Sequence, residues 1–420
     1  MTNTKKKIAV IGGGVSGLSI ANMLKDSFQV VVFEKENKPG GLIRCERKQG
    51  FLYHLVGGHV FNSKRQDVLD WFWNFFDKDL EFTKTPRNAV ISMSDKMIGY
   101  PIENHLYELS ADLTKQIIAE LLSRLQQAPK SPDNFEEFLQ QMFGKTLYDI
   151  YFKPYNEKIW RKNLKDVPLS WLEGKLPMPT VEEIMFNNIH HIKEMGMVHS
   201  SFYYAKQNGS QYIADRLAQN LNIRYNSEVN TISKDMNGWH INGEPFDIVV
   251  FCGNITQLPQ FIEGIDMDTF LEPINHLQYH GTTSVLCEIQ ANPYSWIYMP
   301  NKDHLSHRII CTGNFSSTNN PDGKYSGTIE FTDTISYEDI LKNLQIIPLS
   351  PRYIAHHYTP FTYPIQGKDT REMILALKRT LEPHNLFLLG RFAEWEYYNM
   401  DAAIGAAMSV SNSIMAKKEQ

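Results

Sequence analysis

The spacing of Gly12, Gly14 and Gly17 constrains this chain more than any other feature of its sequence. These glycines follow a short apolar run, Ile8, Ala9, Val10 and Ile11, of strand length. A helix-like segment continues to about Lys25, and a second β-branched run, Val30 to Phe33, ends at Glu34. Strand, glycine turn, helix and strand in this order form the dinucleotide-binding unit of parallel α/β folds. Gly12 allows the tight turn out of the strand, Gly14 lets the backbone approach a pyrophosphate, and Gly17 lets the helix pack on the strand. Val15 and Ser16 open the helix, whose unpaired N–H groups and positive dipole end suit phosphate. Glu34 stands 22 residues after Gly12, about where an acidic side chain accepts hydrogen bonds from an adenosine ribose, and Lys35 adjoins it. An ordinary glycine-rich turn would leave Glu34 unexplained.

The 420 residues suffice for two or three domains with a large core. A hydrophobic share of 42% and a charged share of 21% describe a globular chain, which excludes disorder as the default. The net charge of −5 and the lack of a basic stripe argue against a nucleic-acid surface. No run approaches the roughly 18 apolar residues that span a bilayer. The lysines at 5 to 7 precede a strand rather than a signal-like apolar stretch. Cys45, Cys252, Cys287 and Cys311 lie far apart and form no C-x-x-C, so reduced thiols and a cytoplasmic location are expected.

Further along, Val68 to Phe76 reads as a buried helix. Apolar residues recur at three and four from Ser110 to Gln127 and again from Phe135 to Tyr151, which predicts amphipathic helices. The stretch Tyr212 to Ala218 reads as another helix. Ile223 to Tyr225, Val229 to Ser233 and Phe246 to Phe251 read as strands, as do Val285 to Ile289, Trp296 to Met299, Arg308 to Thr312 and Gly327 to Phe331. Leu386 to Leu389 reads as a strand that ends at Gly390, before a helix from about Asp401 to Met415. The small residues Ala402, Ala403 and Gly405 early in that helix suit either close approach to a cofactor or tight helix–sheet packing. The expected architecture is α/β. It has a discontinuous Rossmann-like dinucleotide-binding domain (1–98, 200–262 and 364–420), an inserted, mainly helical domain (99–199) and an antiparallel β-sheet substrate domain (263–363).

The segment Lys38-Pro39-Gly40-Gly41-Leu42, with Arg44 close behind, resembles the second glycine pair of the flavoprotein superfamily that includes amine oxidases and phytoene desaturases. That likeness moves the expected cofactor from NAD to FAD. Taken together, several stretches resemble the UDP-galactopyranose mutase family, in order from residue 8 to about 415. YHLVGGHVFNS is similar to that family's histidine loop, which implies that Gly58 and His59 lie beside the flavin; by its residues alone, His59 could equally be hydrogen-bonded within its loop. KPYNEKIW (153–160) resembles the segment that lines the uridine pocket, which implies substrate contacts for Tyr155, Asn156 and Trp160. FYYAKQNGS (202–210) resembles the return into the FAD domain, and Val229 falls within the part that follows it. Tyr298 and Arg308 fall where the family has a substrate tyrosine and a diphosphate-binding arginine. Tyr363-Pro364 and GRFAEWEYYNMD (390–401) resemble later motifs, implying substrate contact by Tyr397 and cofactor contacts by Gly390, Arg391, Asp401 and Ala402. Read alone, Trp160 could be simple core and Arg308 an ordinary surface residue.

Two positions depart from the family pattern. Lys175 stands where the family has a second arginine, which keeps the charge but loses the planar fork that grips phosphate at two points. Glu103 stands about where a neutral side chain is expected. The resemblance implies an isomerase that interconverts pyranose and furanose forms of a nucleotide sugar, UDP-galactose or a related one, in polysaccharide synthesis. Its chemistry would use the nucleophilic N5 of reduced FAD with no net redox, while Arg308 and Lys175 hold the diphosphate and His59 serves the flavin. NAD(P)H is a candidate external reductant. The alternatives are an FAD-dependent oxidoreductase of the protoporphyrinogen oxidase, amine oxidase or desaturase type, and an FAD-holding protein without catalysis. A mutase requires cationic, tyrosine-rich cleft walls, and an oxidase a largely apolar tunnel. The sugar and the oligomeric state are not encoded in any motif.

Overall fold

A computed structural model describes residues 5–93, 95–126, 131–169, 179–192 and 200–418. Its centre is a five-stranded parallel sheet. The middle strand, β1 (Lys7–Ile11), is flanked on one side by β2 (Gln29–Phe33) and Ile223–Arg224, and on the other by Ile248–Phe251 and Leu386–Leu388. Its strands are apolar on both faces, as a covered parallel sheet requires. Ile8, Val10, Val30, Val32 and Val250 pack against α1 (Val15–Leu24) and the C-terminal helix Met400–Lys418. Ala9, Ile11, Val31, Phe33 and Val249 face the other way, onto Trp239, Ile241 and Phe246 of a small four-stranded sheet and onto Leu377 of helix Thr370–Leu381.

A seven-stranded sheet forms the second layer. Its order is Arg352–Ile365, Gln278–Glu288, Ser326–Thr332, Arg308–Ile310, Trp296–Tyr298, Ala89–Met93 and Lys96–Gly99. All neighbours are antiparallel except Trp296–Tyr298 beside Ala89–Met93. The last two strands come from the part of the chain that precedes the helical insert. Residues in register across a sheet share a face, and one row here reads Ile91, Tyr298, Arg308, Glu330, Ser284 and His357.

Helices between 111 and 189 cap one side of this sheet. Ser110 caps Ala111–Arg124 by accepting from the Leu113 N–H. The expected helix from Phe135 to Tyr151 is interrupted at Gly144, whose φ of +83° stops Phe135–Phe143. The chain then resumes as helix, passes through a π turn at Tyr148–Phe152 and ends at Trp160. Two other expectations need correcting. The run expected as one strand, Phe246 to Phe251, is split between two sheets, with Glu244–Phe246 in the small sheet and Ile248–Phe251 in the parallel one. The strand expected at Val229 to Ser233 lies at Ile232–Asp235, where Ile232 and Ser233 have partners in Ile241 and His240.

Candidate functional site

The glycine turn after β1 opens onto a cavity of about 740 Å³, within the range of cofactor sites. Gly12 has φ +108°, and a Cβ on Gly17 would lie 1.9 Å from the Gly12 carbonyl oxygen, so strand and helix meet only because both residues are glycine. The second glycine pair closes against the first. Gly40 N–H donates to the Gly13 carbonyl at 2.9 Å, and a Cβ on Gly41 would reach the Gly14 Cα at 3.2 Å. Of the expected cofactor residues, Gly12, Gly14, Val15, Ser16, Gly17, Glu34, Lys35, Gly41, Leu42, Arg44, His59, Val229, Gly390 and Arg391 line this cavity.

Gly58, Asp401 and Ala402 are not among the lining residues. A Cβ on Gly58 would strike Ile310 at 2.5 Å, so this glycine serves sheet packing, whereas Gly57 takes the positive φ of +63°. Asp401 accepts from Ser63 Oγ at 3.1 Å, and its neighbours Met400 and Ala403 face the cavity instead. Glu34 is buried and accepts from the N–H groups of Gly13 (2.7 Å) and Glu36 (2.9 Å). Each carboxylate oxygen retains a second lone pair for a ribose hydroxyl. Arg44 pairs with Glu36 at 3.1 Å, and its buried Nε–H has no acceptor among the described residues.

His59 stands at the wall of this cavity. It bonds to the Leu42 backbone, and its buried Nε2 has no partner among the described residues. Burial, helped by the charge of Arg391, pushes it down to about 4 despite Glu330. The ring is therefore neutral near pH 7. The side chain of Arg391 is fixed by the carbonyls of Thr362 (3.0 Å) and Tyr398 (3.0 Å), and its guanidinium lies 4.8 Å from the Tyr397 ring.

The seven-stranded sheet and the helical cap form a second cluster. Arg308 pairs with Glu330 and donates to Tyr363 Oη at 2.9 Å. Tyr363 stacks on Tyr397 with ring centres 5.6 Å apart. Tyr155 meets Tyr298 edge-on at 5.5 Å and stacks on Tyr151 at 5.7 Å. Burial opposes the charge of Arg308, but Glu330 outweighs it and raises the guanidinium well above its ordinary value. Burial pushes Tyr363 and Tyr155 up, so both are neutral hydroxyl donors.

Other expected site residues lie elsewhere. Trp160 is buried at the end of its helix and lines a separate cavity of about 240 Å³ beside Gln278 and Gln366. The Asn156 side chain donates to the Phe152 carbonyl one turn earlier. Glu103 is buried in the cap, where it helps raise Tyr151. Lys175 lies outside the described residues.

Sequence reasoning missed Glu330 and Arg87. A carboxylate between Ile329 and Phe331 in a strand-like run was a readable sign of a buried cation beside it. Arg87 carried no such sign, because the groups around it come from distant segments. It donates to Tyr298 Oη, and its guanidinium lies 5.1 Å from the rings of both Tyr100 and Trp296.

Fold and cavity together define an α/β protein built around a Rossmann-like dinucleotide-binding unit. The NAD(P)-binding Rossmann-like domain family matches residues 10–78. Over nearly its whole length the chain is similar to UDP-galactopyranose mutases. It is 21% identical to the UDP-galactopyranose mutase of Mycoplasma genitalium across 97% of this chain and 95% of that protein. It is 29% identical to the dTDP-fucopyranose mutase of Escherichia coli, in a match spanning 41% of this chain and only 46% of the relative. The crystal structure of reduced UDP-galactopyranose mutase has the same fold, with a TM-score of 0.87, 21% identity and coverage of 99% of this chain and 95% of that one. No described helix is long and apolar enough to cross a membrane.

Proposed function

We propose that this chain is an FAD-dependent mutase that interconverts the pyranose and furanose forms of a nucleotide sugar, UDP-galactose or a related one. The observation that carries the reading is the Arg308–Glu330, Tyr363, Tyr155 and Tyr298 cluster, polar and rich in hydroxyls where an oxidase of apolar substrates would need a greasy tunnel. Similarity to mutases along the whole chain supports it.

The cavity residues fit FAD: a glycine cradle for the pyrophosphate, Glu34 for the ribose and Arg44 with a buried donor that has no acceptor among the described residues. Bound and reduced, FAD would supply a nucleophilic nitrogen to the anomeric carbon without net redox, and NAD(P)H is a candidate source of the electrons. Arg391, held over the cavity wall without a carboxylate among the described residues, favours an anionic ring system there. Neutral His59 offers Nε2 as an acceptor rather than a second positive charge. Arg308 and Lys175 hold the diphosphate as it departs and returns, and Tyr363 fixes the Arg308 guanidinium. Tyr155 and Tyr298 offer hydroxyls to phosphate or sugar. Tyr397 backs the substrate side by stacking on Tyr363, Trp160 and Asn156 support the helix that carries Tyr155, and Gly58 and Asp401 support the cofactor side from behind its wall. Four unpaired cysteines accord with a cytoplasmic location.

Turnover of UDP-galactofuranose and of a dTDP-fucose substrate, each with dithionite-reduced and with oxidised protein, tests the reading. Conversion by the reduced sample alone is the expected result. Bound FAD with no conversion of either sugar in either state would defeat it and return the oxidoreductase alternative.

A further inference from the structure

Arg87 follows strand Phe82–Pro86, and its backbone N–H is held by the Ser200 carbonyl at 2.9 Å. Its guanidinium is boxed by the rings of Tyr100 and Trp296, with Tyr298 at 6.0 Å. Three aromatic rings crowd the guanidinium, so its remaining capacity lies in its N–H donors. One edge donor goes to Tyr298 Oη; the Nε–H is buried and has no acceptor among the described residues. A buried donor without an acceptor is unfavourable, and an incoming acceptor relieves it.

The charges around it are unevenly balanced. Arg308 comes with its own counter-ion, the fully buried Glu330, so the pair adds little net charge to the cleft. Arg391 spends its donors on the Thr362 and Tyr398 carbonyls. Arg87 forms no ion pair among the described residues, yet it lies near enough to Arg308 for the two to repel. Tyr298 links them: it accepts from Arg87 and sits opposite Arg308 in the strand register. Two repelling guanidinium groups, one neutralised and one not, make a place for a polyvalent anion. In sequence the remaining expected cation, Lys175, is a point charge without a fork.

Resting on the mutase reading, we propose that Arg87 is a diphosphate-binding residue of this site, gripping the nucleotide sugar through its free edge and supplying the net positive charge that the Arg308–Glu330 pair does not.

The test is the affinity of the FAD-loaded enzyme for UDP, dTDP and inorganic pyrophosphate, by calorimetry, in wild type, Arg87→Met and Arg87→Lys. Arg87→Met is expected to weaken UDP roughly 30-fold, as loss of a charged hydrogen bond implies. Its affinity should also become less salt-dependent, while the flavin absorbance per protein stays unchanged. Arg87→Lys, which preserves the charge and guards against a misfolded methionine variant, should fall between the two. Affinity within threefold of wild type in both variants overturns the proposal and assigns Arg87 to aromatic packing alone. Wild type that binds pyrophosphate but neither nucleotide defeats the mutase reading, and the pyrophosphate affinities of the variants then still decide Arg87. Wild type that binds no diphosphate overturns both.

Discussion

Replacing Glu330 with glutamine tests whether a buried ion pair holds the centre of the seven-stranded sheet. Burial pushes the Glu330 carboxyl up, but Arg308 and then His307 outweigh it and hold the group at about 2, against an ordinary 4.5. A carboxyl whose folded value lies below its unfolded one stabilises the fold above the unfolded value. That contribution is lost as pH falls through the folded value. At about 1.4 kcal/mol per pH unit, the gap from 4.5 to about 2 amounts to about 3 kcal/mol near pH 7. It declines to about 2 kcal/mol at about pH 3.5 and is nearly gone at about pH 2. Glutamine does not titrate, and it leaves Arg308 buried without a counter-charge, a change of the same size as other broken buried pairs. Urea unfolding of wild type and Glu330→Gln between about pH 7 and pH 3.5 isolates this residue, because every other carboxyl is common to both. The expected difference is about 3 kcal/mol and flat down to about pH 5, then shrinking with acid. A difference below about 1 kcal/mol at neutral pH, or one that does not change down to about pH 3.5, would refute the reasoning.

His59 should show no ring titration by NMR between about pH 5.5 and pH 8, since burial and Arg391 push it down to about 4; an inflection near its ordinary 6.5 would contradict this. Its folded value lies below the unfolded one, so for this group stability is full above pH 6.5 and falls as acid is added towards pH 4. Gly17→Ala sets a Cβ 1.9 Å from the Gly12 carbonyl oxygen and should abolish flavin binding, read as flavin absorbance per protein; a flavin-replete variant would show that strand and helix can part there. Tyr363→Phe removes the acceptor that Arg308 reaches at 2.9 Å, and about 1 kcal/mol of lost positioning predicts UDP affinity roughly fivefold weaker, with flavin content as the control.

The dinucleotide unit was legible because its signals are local: alternation of β-branched runs, glycines at fixed spacing and an acidic residue at a set distance all lie within the first 42 residues. The helices after residue 110 were equally legible from their periodicity, except at Gly144, where the apolar pattern runs on through the glycine that stops the helix. The split of Phe246 to Phe251 was hidden because Asp247 is the only interruption in that apolar run, and only the tertiary fold sends its two parts to different sheets. Arg308, Tyr155, Tyr298 and Tyr363 were read from motif resemblance, and the structure brings them together across 208 positions of sequence, Tyr155 to Tyr363. Trp160 came from the same motif, but it turns into the core at the end of its helix. Arg87 was illegible because its aromatic box is assembled from residues 100, 296 and 298, and no periodicity links a strand end to rings so far along the chain.

The row Tyr298, Arg308 and Glu330 gives the chain a simple grammar of tolerated change. These three residues share one face of the sheet because three short strands agree in register, and alternate positions point the opposite way. A single residue inserted within Trp296–Tyr298 or Arg308–Ile310 would turn tyrosine or arginine out of the cleft while leaving the backbone pairing intact. The same insertion at the exposed tip 301–303 of the connection is taken up as loop. Sequences descended from this one can therefore lengthen their turns freely, but must change the cleft by substitution, one side chain at a time, on strands of fixed length.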